Sequence, residues 1–246
     1  MVWWGIALSE FFGTFFLILL GLGINADSTL KGTYIKNNNW LLGSFGWAFA
    51  YFIGGSIAYY SGGNINPIIS LSVWLTDQIT FVQFLDYIFF QILGAFFAIV
   101  IINFLYLDQL KKTDDQERIA NVFYTIPAIK DYKFNFLTEI IASFVLVTAF
   151  LSSVWYGFNF FEPLFMALVV FAIALSLGGL TGYAINPTRD LIPRIYHSLF
   201  KIPNKGKTNW SYSFVPTIGP IIGSLLSTGL IWIIIEIIGE GNPFNN

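Results

Sequence analysis

Cysteine is absent from the 246 residues, which removes disulfides, thiolate nucleophiles and Cys-based metal sites. Histidine occurs once, at His197, so neither a His-cluster metal site nor a mechanism needing two histidines is available. Charge is scarce as well: 11% of the residues are Asp, Glu, Lys or Arg, against roughly 25% in an ordinary soluble domain. A net charge of -2 is too small to point to a nucleic-acid partner. The remainder is largely apolar, with 56% hydrophobic and 19% aromatic residues. That balance predicts a polytopic membrane protein.

A spanning helix needs about 20 mostly apolar residues, because the hydrocarbon core is about 30 Å thick and each helical residue rises about 1.5 Å. Six segments qualify: about 3–24, 40–60, 83–107, 136–157, 163–181 and 212–238. The first carries Glu10 and lacks a basic leading stretch and a small-residue cleavage site, so it is expected to be a retained span rather than a signal peptide. Two shorter apolar pieces, each opening at an Asn-Pro, lie between spans two and three and between spans five and six. They are too short to cross. Non-spanning backbone at membrane depth needs protein or a water-filled cavity around it, so both are expected to be re-entrant half-helices. The extensive polar connection, about 108–135, holds Asp114, Asp115, Glu117 and Arg118 and has nothing of a catalytic loop.

The halves repeat. SEFFGTFFLILLG (9–21) set above TEIIASFVLVTAF (138–150) puts Glu10 on Glu139, Gly13 on Ala142, Thr14 on Ser143 and Phe15 on Phe144, and the two Asn-Pro pieces align too. Each half reads as a span with Glu, a span, an Asn-Pro half-helix and a span. Three spans per half is an odd number, so the halves must run in opposite orientations. Inverted repeats place their shared site near the bilayer midplane, at broken helices. Asn is a preferred N-cap and Pro suits the first helical turn, so Asn66-Pro67 and Asn186-Pro187 each start a half-helix. Inversion brings the two starts together, with their positive dipole ends meeting across a lumen. A cation or hydronium meets unfavourable potential there; a neutral solute does not, and the carboxamides of Asn66 and Asn186 can donate to it.

SGGNINP (61–67) and GYAINPTRD (182–190), with a Glu in the first span of each half, resemble the aquaporin and glycerol-facilitator family over nearly the whole chain. The resemblance implies a right-handed bundle of six spans and two half-helices, a pore through each protomer and a homotetramer. It also implies passive conduction of water or small uncharged solutes. Two positions resemble the glycerol-conducting branch: Asp190 directly after Arg189, and Pro216 in VPTIGP. Asp190 is expected to partner a nearby arginine and hold a loop. By the same resemblance Arg189 belongs to the selectivity constriction, where five fixed donors can bind two polyol hydroxyls while the charge repels cations. Tyr183 stands where such members often have Phe, and Ala174 leaves room for a solute wider than water. Trp47, in SFGWAF, fits the family's filter Trp, although the usual interval counted back from Asn66 lands on Gly46.

The extended stretches before the half-helices, Gly62, Gly63, Asn64 and Ile65 and then Thr181, Gly182, Tyr183 and Ala184, are expected to expose carbonyls to the lumen. Glu10 and Glu139 are expected to accept from backbone N–H groups and keep those stretches in place; proton-coupling carboxylates of a transporter are the rival reading. Gln91, Gly94 and Gly223 read as packing residues. Ile68 and Thr188 stand where the family commonly has Ala, and Asn64 replaces a common His. All twelve Lys and Arg follow spans one, three and five: Lys31 and Lys36, Lys111 to Lys133, and Arg189 to Lys207. The positive-inside rule places those segments in the cytoplasm; the resemblance implies the reverse, and the expectation follows the family.

The sequence is thus expected to form an all-α membrane protein of six transmembrane helices and two re-entrant half-helices. One channel domain fills 1–246, with repeat one about 1–107 and repeat two about 136–246. The expected partners are glycerol, water, membrane lipid and further copies in a homotetramer, with no nucleic acid, cofactor or metal, in the cell membrane. A water-selective channel and an ion-coupled transporter using Glu10 and Glu139 remain as alternatives; an enzyme finds no nucleophile with a base beside it.

Overall fold

The computed structural model describes residues 3–35, 39–238 and 244; Lys36 lies outside the described residues. In chain order the helices are α1 (Trp3–Thr29), α2 (Trp40–Ile57), α3 (Pro67–Leu75), α4 (Phe81–Leu105), α5 (Leu107–Lys112) and α6 (Gln116–Phe123). They continue with α7 (Tyr132–Trp155), α8 (Glu162–Ser176), α9 (Gly178–Thr181), α10 (Pro187–Leu199) and α11 (Phe214–Ile238). Six stretches of the described residues, centred on α1, α2, α4, α7, α8 and α11, are long and apolar enough to cross a membrane, with mean hydropathy of 1.2 to 2.5. Local chemistry sets several of the starts. Asn39 caps α2, Asp131 caps α7, and Thr80 forms a capping box with Gln83 at α4.

Small residues let the helices of each half close on one another. α1 packs on α4 and α7 on α11. A side chain at Gly94 would run into the carbonyl of Phe11, and one at Gly223 into that of Ile140, the repeat-related position. The distribution of polarity is inside out: Glu10, Gln91, Ser70 and Ser224 are fully buried, while Phe104, Leu168 and Ile233 lie on the exterior. Apolar side chains outward and hydrogen-bonded polar groups inward is the arrangement a bilayer demands.

Three expectations are corrected. The connection at 108–135 is not an open loop: it folds as α5 and α6, buries Leu110, Ile119 and Phe123, and lays α6 against α1 and α10. Span five stops at Ser176, because Leu177 and α9 turn the chain into the extended stretch before Asn186. Pro193, expected to end the second half-helix or tighten its last turn, lies in the middle of α10, which continues to Leu199.

Candidate functional site at the paired Asn-Pro turns

Asn66 Oδ1 accepts from the N–H of Ile68 at 3.2 Å, and Asn186 Oδ1 from those of Thr188 and Arg189 at 3.0 and 3.2 Å. Pro67 and Pro187 take the first helical position, where a missing N–H costs nothing. Each cap also reaches into the other half: Asn66 Nδ2 donates to the Ile185 carbonyl at 2.8 Å and Asn186 Nδ2 to the Ile65 carbonyl at 3.0 Å. The two helix starts therefore face each other, positive ends together. This exchange corrects the expectation for Ile65, whose carbonyl is taken by Asn186 and whose side chain is fully buried. Each carboxamide keeps a second N–H beyond the one exchanged.

The residues just before the caps pay for this geometry in backbone strain. Ile65 and Ile185 sit at φ +44° and +40°, and Tyr183 at +38°. Such conformations cost on the order of 1–3 kcal/mol each for side chains of this size. Two buried carboxylates hold them. Glu10 accepts from the N–H groups of Asn64 and Ile65 at 3.1 and 2.9 Å, from Ser61 Oγ at 2.5 Å and from Gln91 Nε2 at 2.7 Å. Glu139 accepts from the N–H groups of Ala184 and Ile185, both at 3.0 Å, and from Thr181 Oγ1 at 2.6 Å. With their N–H groups turned to the carboxylates, these stretches leave oxygens open. The carbonyls of Gly62, Gly63 and Asn64, and of Thr181, Gly182, Tyr183 and Ala184, meet no protein donor among the described residues.

Arg189, Trp47 and Tyr183 come together beside this junction. The Arg189 guanidinium lies over the Trp47 ring, 4.4 Å from its centroid. All three line both an open vestibule of about 270 Å³ and a narrow lumen of about 30 Å³, the latter walled by Leu17, Leu146 and Val170 and reaching Asn66 and Asn186. A hydrophobic corner with a cation at one edge results. Gly46 instead packs on Ile24, while Gly21 leaves the space that the Trp47 ring fills. Ala174 is fully buried and its carbonyl accepts from Trp40 Nε1 at 3.0 Å, so on that wall the vestibule is lined by Trp40, set edge-on to Tyr183 at 5.7 Å. Arg189 is 6% exposed, yet its guanidinium donates no hydrogen bond to the protein among the described residues, and Nη1 is buried without a partner. Cation–π contact offsets part of that cost. The rest calls for an acceptor brought in from outside the chain.

Asp190 points away from the lumen. Its carboxylate pairs with Arg194 at 2.7 Å and accepts from the N–H and hydroxyl of Thr125 at 2.8 and 2.6 Å. Arg194 in turn donates to the carbonyls of Asn209 and Thr125 and stacks on Tyr124. The loops round the vestibule are tied together at this one ion pair.

Five residues at the site escape sequence reasoning: Asn25, Trp40, Tyr51, Thr125 and Glu162. Asn25 Oδ1 accepts from Trp47 Nε1 at 2.9 Å, while its Nδ2 donates to the carbonyls of Asn121 and Val122. An amide inside the apolar run GLGIN was the available signal. Asn25→Leu is expected to release the Trp47 ring and lower the ratio of polyol to water permeability severalfold, the loss of one buried hydrogen bond being worth about 1 kcal/mol. Stopped-flow light scattering on vesicles measures both fluxes, and an unchanged ratio would mean that packing alone holds Trp47.

A sequence model of the family described as "Major intrinsic protein" matches residues 1–232. The chain belongs to the major intrinsic protein family. The resemblance carried by the two Asn-Pro motifs is thereby borne out. Among relatives, a probable glycerol uptake facilitator protein of Thermotoga maritima is 41% identical over 232 residues, covering 91% of this chain and 96% of that one. The glycerol uptake facilitator protein of Bacillus subtilis is 39% identical, covering 89% and 80%. The X-ray structure of the aquaglyceroporin from Plasmodium falciparum superposes with a TM-score of 0.81 at 25% identity, over 96% of this chain and 99% of that one. Within this major intrinsic protein the unusual Ile68 is fully buried, does not border the narrow lumen, and offers its carbonyl to Ser224 of α11 at 2.7 Å.

Proposed function

We propose that the protein is a passive channel for glycerol and other small uncharged solutes that also passes water and excludes ions and protons. The observation that carries this reading is the buried guanidinium of Arg189, free of protein acceptors among the described residues and set beside Trp47 and Tyr183. Such a corner suits a polyol: CH groups lie on the rings and hydroxyl oxygens accept from the guanidinium, while hydroxyl protons go to the open carbonyls of Tyr183 and Ala184. Paired half-helix starts at the junction and a fixed cation at Arg189 put positive potential at those two points of the path, which disfavours cations and hydronium there. The names of the Thermotoga and Bacillus relatives support the solute class. A homotetramer in the cell membrane, with lipid around it, completes the proposal.

Purified protein in lipid vesicles, mixed with a glycerol gradient in a stopped-flow instrument, tests it. Glycerol equilibration far faster than in protein-free vesicles is the expected result. Water flux without glycerol flux would leave a water-selective channel, and uphill solute movement driven by a pH gradient would leave a coupled transporter.

A further inference from the structure

The mouth on the far side of the Asn-Pro pair from Arg189 holds a carboxylate with no assigned role. Glu162 opens α8, and Pro163 beside it packs over Gly55 of α2 next to the Tyr51 ring. This seats the Glu162 side chain against the first extended stretch: its Oε2 lies 3.6 Å from where a Cβ on Gly63 would stand. The side chain is half-buried and makes neither a hydrogen bond nor an ion pair with the described residues. Every other buried carboxylate near the path is saturated: Glu10 and Glu139 by backbone and side-chain donors, Asp190 by Arg194 and Thr125.

Two further polar ends at this mouth lack partners. Asn64 is 1% exposed, and its Nδ2 turns back to the Ser61 carbonyl, which leaves Oδ1 buried with no donor. The Tyr51 hydroxyl is buried without a partner and lies within electrostatic reach of Glu162. Glu162 and Asn64 border one cavity of about 500 Å³, and Tyr51 borders the narrow lumen that leads on to Arg189. Acceptor oxygens of Glu162, Asn64 and the open Gly62 carbonyl thus border this cavity, whose lining also includes the donor-bearing Tyr59, Tyr60, Gln78 and Asn159, while the Tyr51 hydroxyl stands at the adjoining lumen. A helix-start carboxylate that served only its own helix would stand in solvent or bond its first N–H groups.

We propose that Glu162, the Asn64 amide oxygen and the Tyr51 hydroxyl form a second solute-binding station. It takes small polyhydric solutes by their O–H groups, opposite in polarity to the donor-rich station at Arg189. The proposal rests on the reading of the chain as a polyol channel. A triol crossing the pore is gripped by its oxygens at one station and by its hydroxyl protons at the other, so a solute lacking either capacity loses one of them.

The test uses the full chain in phosphatidylcholine–phosphatidylglycerol vesicles, with glycerol and water as probes, for Glu162→Ala, Glu162→Gln and Tyr51→Phe. Glu162→Ala is expected to lower the glycerol-to-water permeability ratio about fivefold and Tyr51→Phe about twofold, with Glu162→Gln in between because one acceptor oxygen survives. The glycerol concentration that half-saturates flux rises in the same order. A distortion of the fold would lower both permeabilities together and leave the ratio unchanged. Ratios equal to the unsubstituted protein's in Tyr51→Phe and in whichever Glu162 variant folds would overturn the station. Should the unsubstituted protein pass no glycerol, the channel reading itself fails; glycerol flux with indifferent variants sinks the station alone.

Discussion

Arg189→Val is expected to admit larger and charged solutes faster than the unsubstituted protein does, while leaving the fold intact. The guanidinium donates no hydrogen bond to the protein among the described residues, so its removal orphans no partner among them. What disappears is bulk beside Trp47 and Tyr183, together with the one fixed positive side chain on the narrow lumen. A four-carbon polyol should enter about tenfold faster, the factor that corresponds to about 1.4 kcal/mol of lost steric and electrostatic discrimination. Glycerol itself should lose selectivity over water, since its hydroxyl oxygens no longer find the fork of donors. Stopped-flow with erythritol, and a potential-sensitive dye for monovalent cations, read the two changes. Unaltered erythritol and cation exclusion would remove Arg189 from the filter.

Glu139→Ala is expected to abolish flux through loss of the fold at the second turn. Its carboxylate holds the N–H groups of Ala184 and Ile185 and the hydroxyl of Thr181, all buried. Each orphaned donor costs about 1–3 kcal/mol, and the strain at Tyr183 and Ile185 loses its counterweight. A loss of that size is comparable to a large share of a protein's net stability, about 5–15 kcal/mol. The expected signs are a large fall in detergent-solution melting temperature and in the yield of monodisperse protein. Glu139→Gln separates the two readings of this residue. A structural acceptor loses part of its capacity and destabilises the protein, whereas a proton-coupling group would leave stability unchanged and abolish only pH-driven transport.

Local signals carried most of the architecture. Span lengths and the Asn-Pro turns are legible because twenty apolar residues, or a cap followed by proline, mean the same thing wherever they occur. The bracing by Glu10 and Glu139 was legible for a related reason: a carboxylate in an apolar span must find donors, and the repeat supplied the same answer twice. Legibility ended where the partner comes from elsewhere in the chain. Asn25 touches Trp47 only because α1 and α2 cross at Gly21. α6 forms on a polar segment whose buried side, Ile119 and Phe123, was hidden among charges. The choice between Gly46 and Trp47 was a matter of one residue in a count. The rotation of α2 decides it, turning Gly46 to Ile24 and the indole to Arg189.

The exchange of hydrogen bonds between Asn66 and Ile185, and between Asn186 and Ile65, bears on the order in which the molecule is made. The first half leaves the ribosome well before the second, and domains assemble in the order of synthesis. Until residues 185 and 186 arrive, the amide Nδ2 of Asn66 and the carbonyl of Ile65 have no partner from their own half among the described residues, in a setting where neither is cheaply left bare. The first half-helix start therefore gains its last hydrogen-bond partners, and the pathway its closed junction, only once the second Asn-Pro turn is in place. A chain released early holds spans but no conduit.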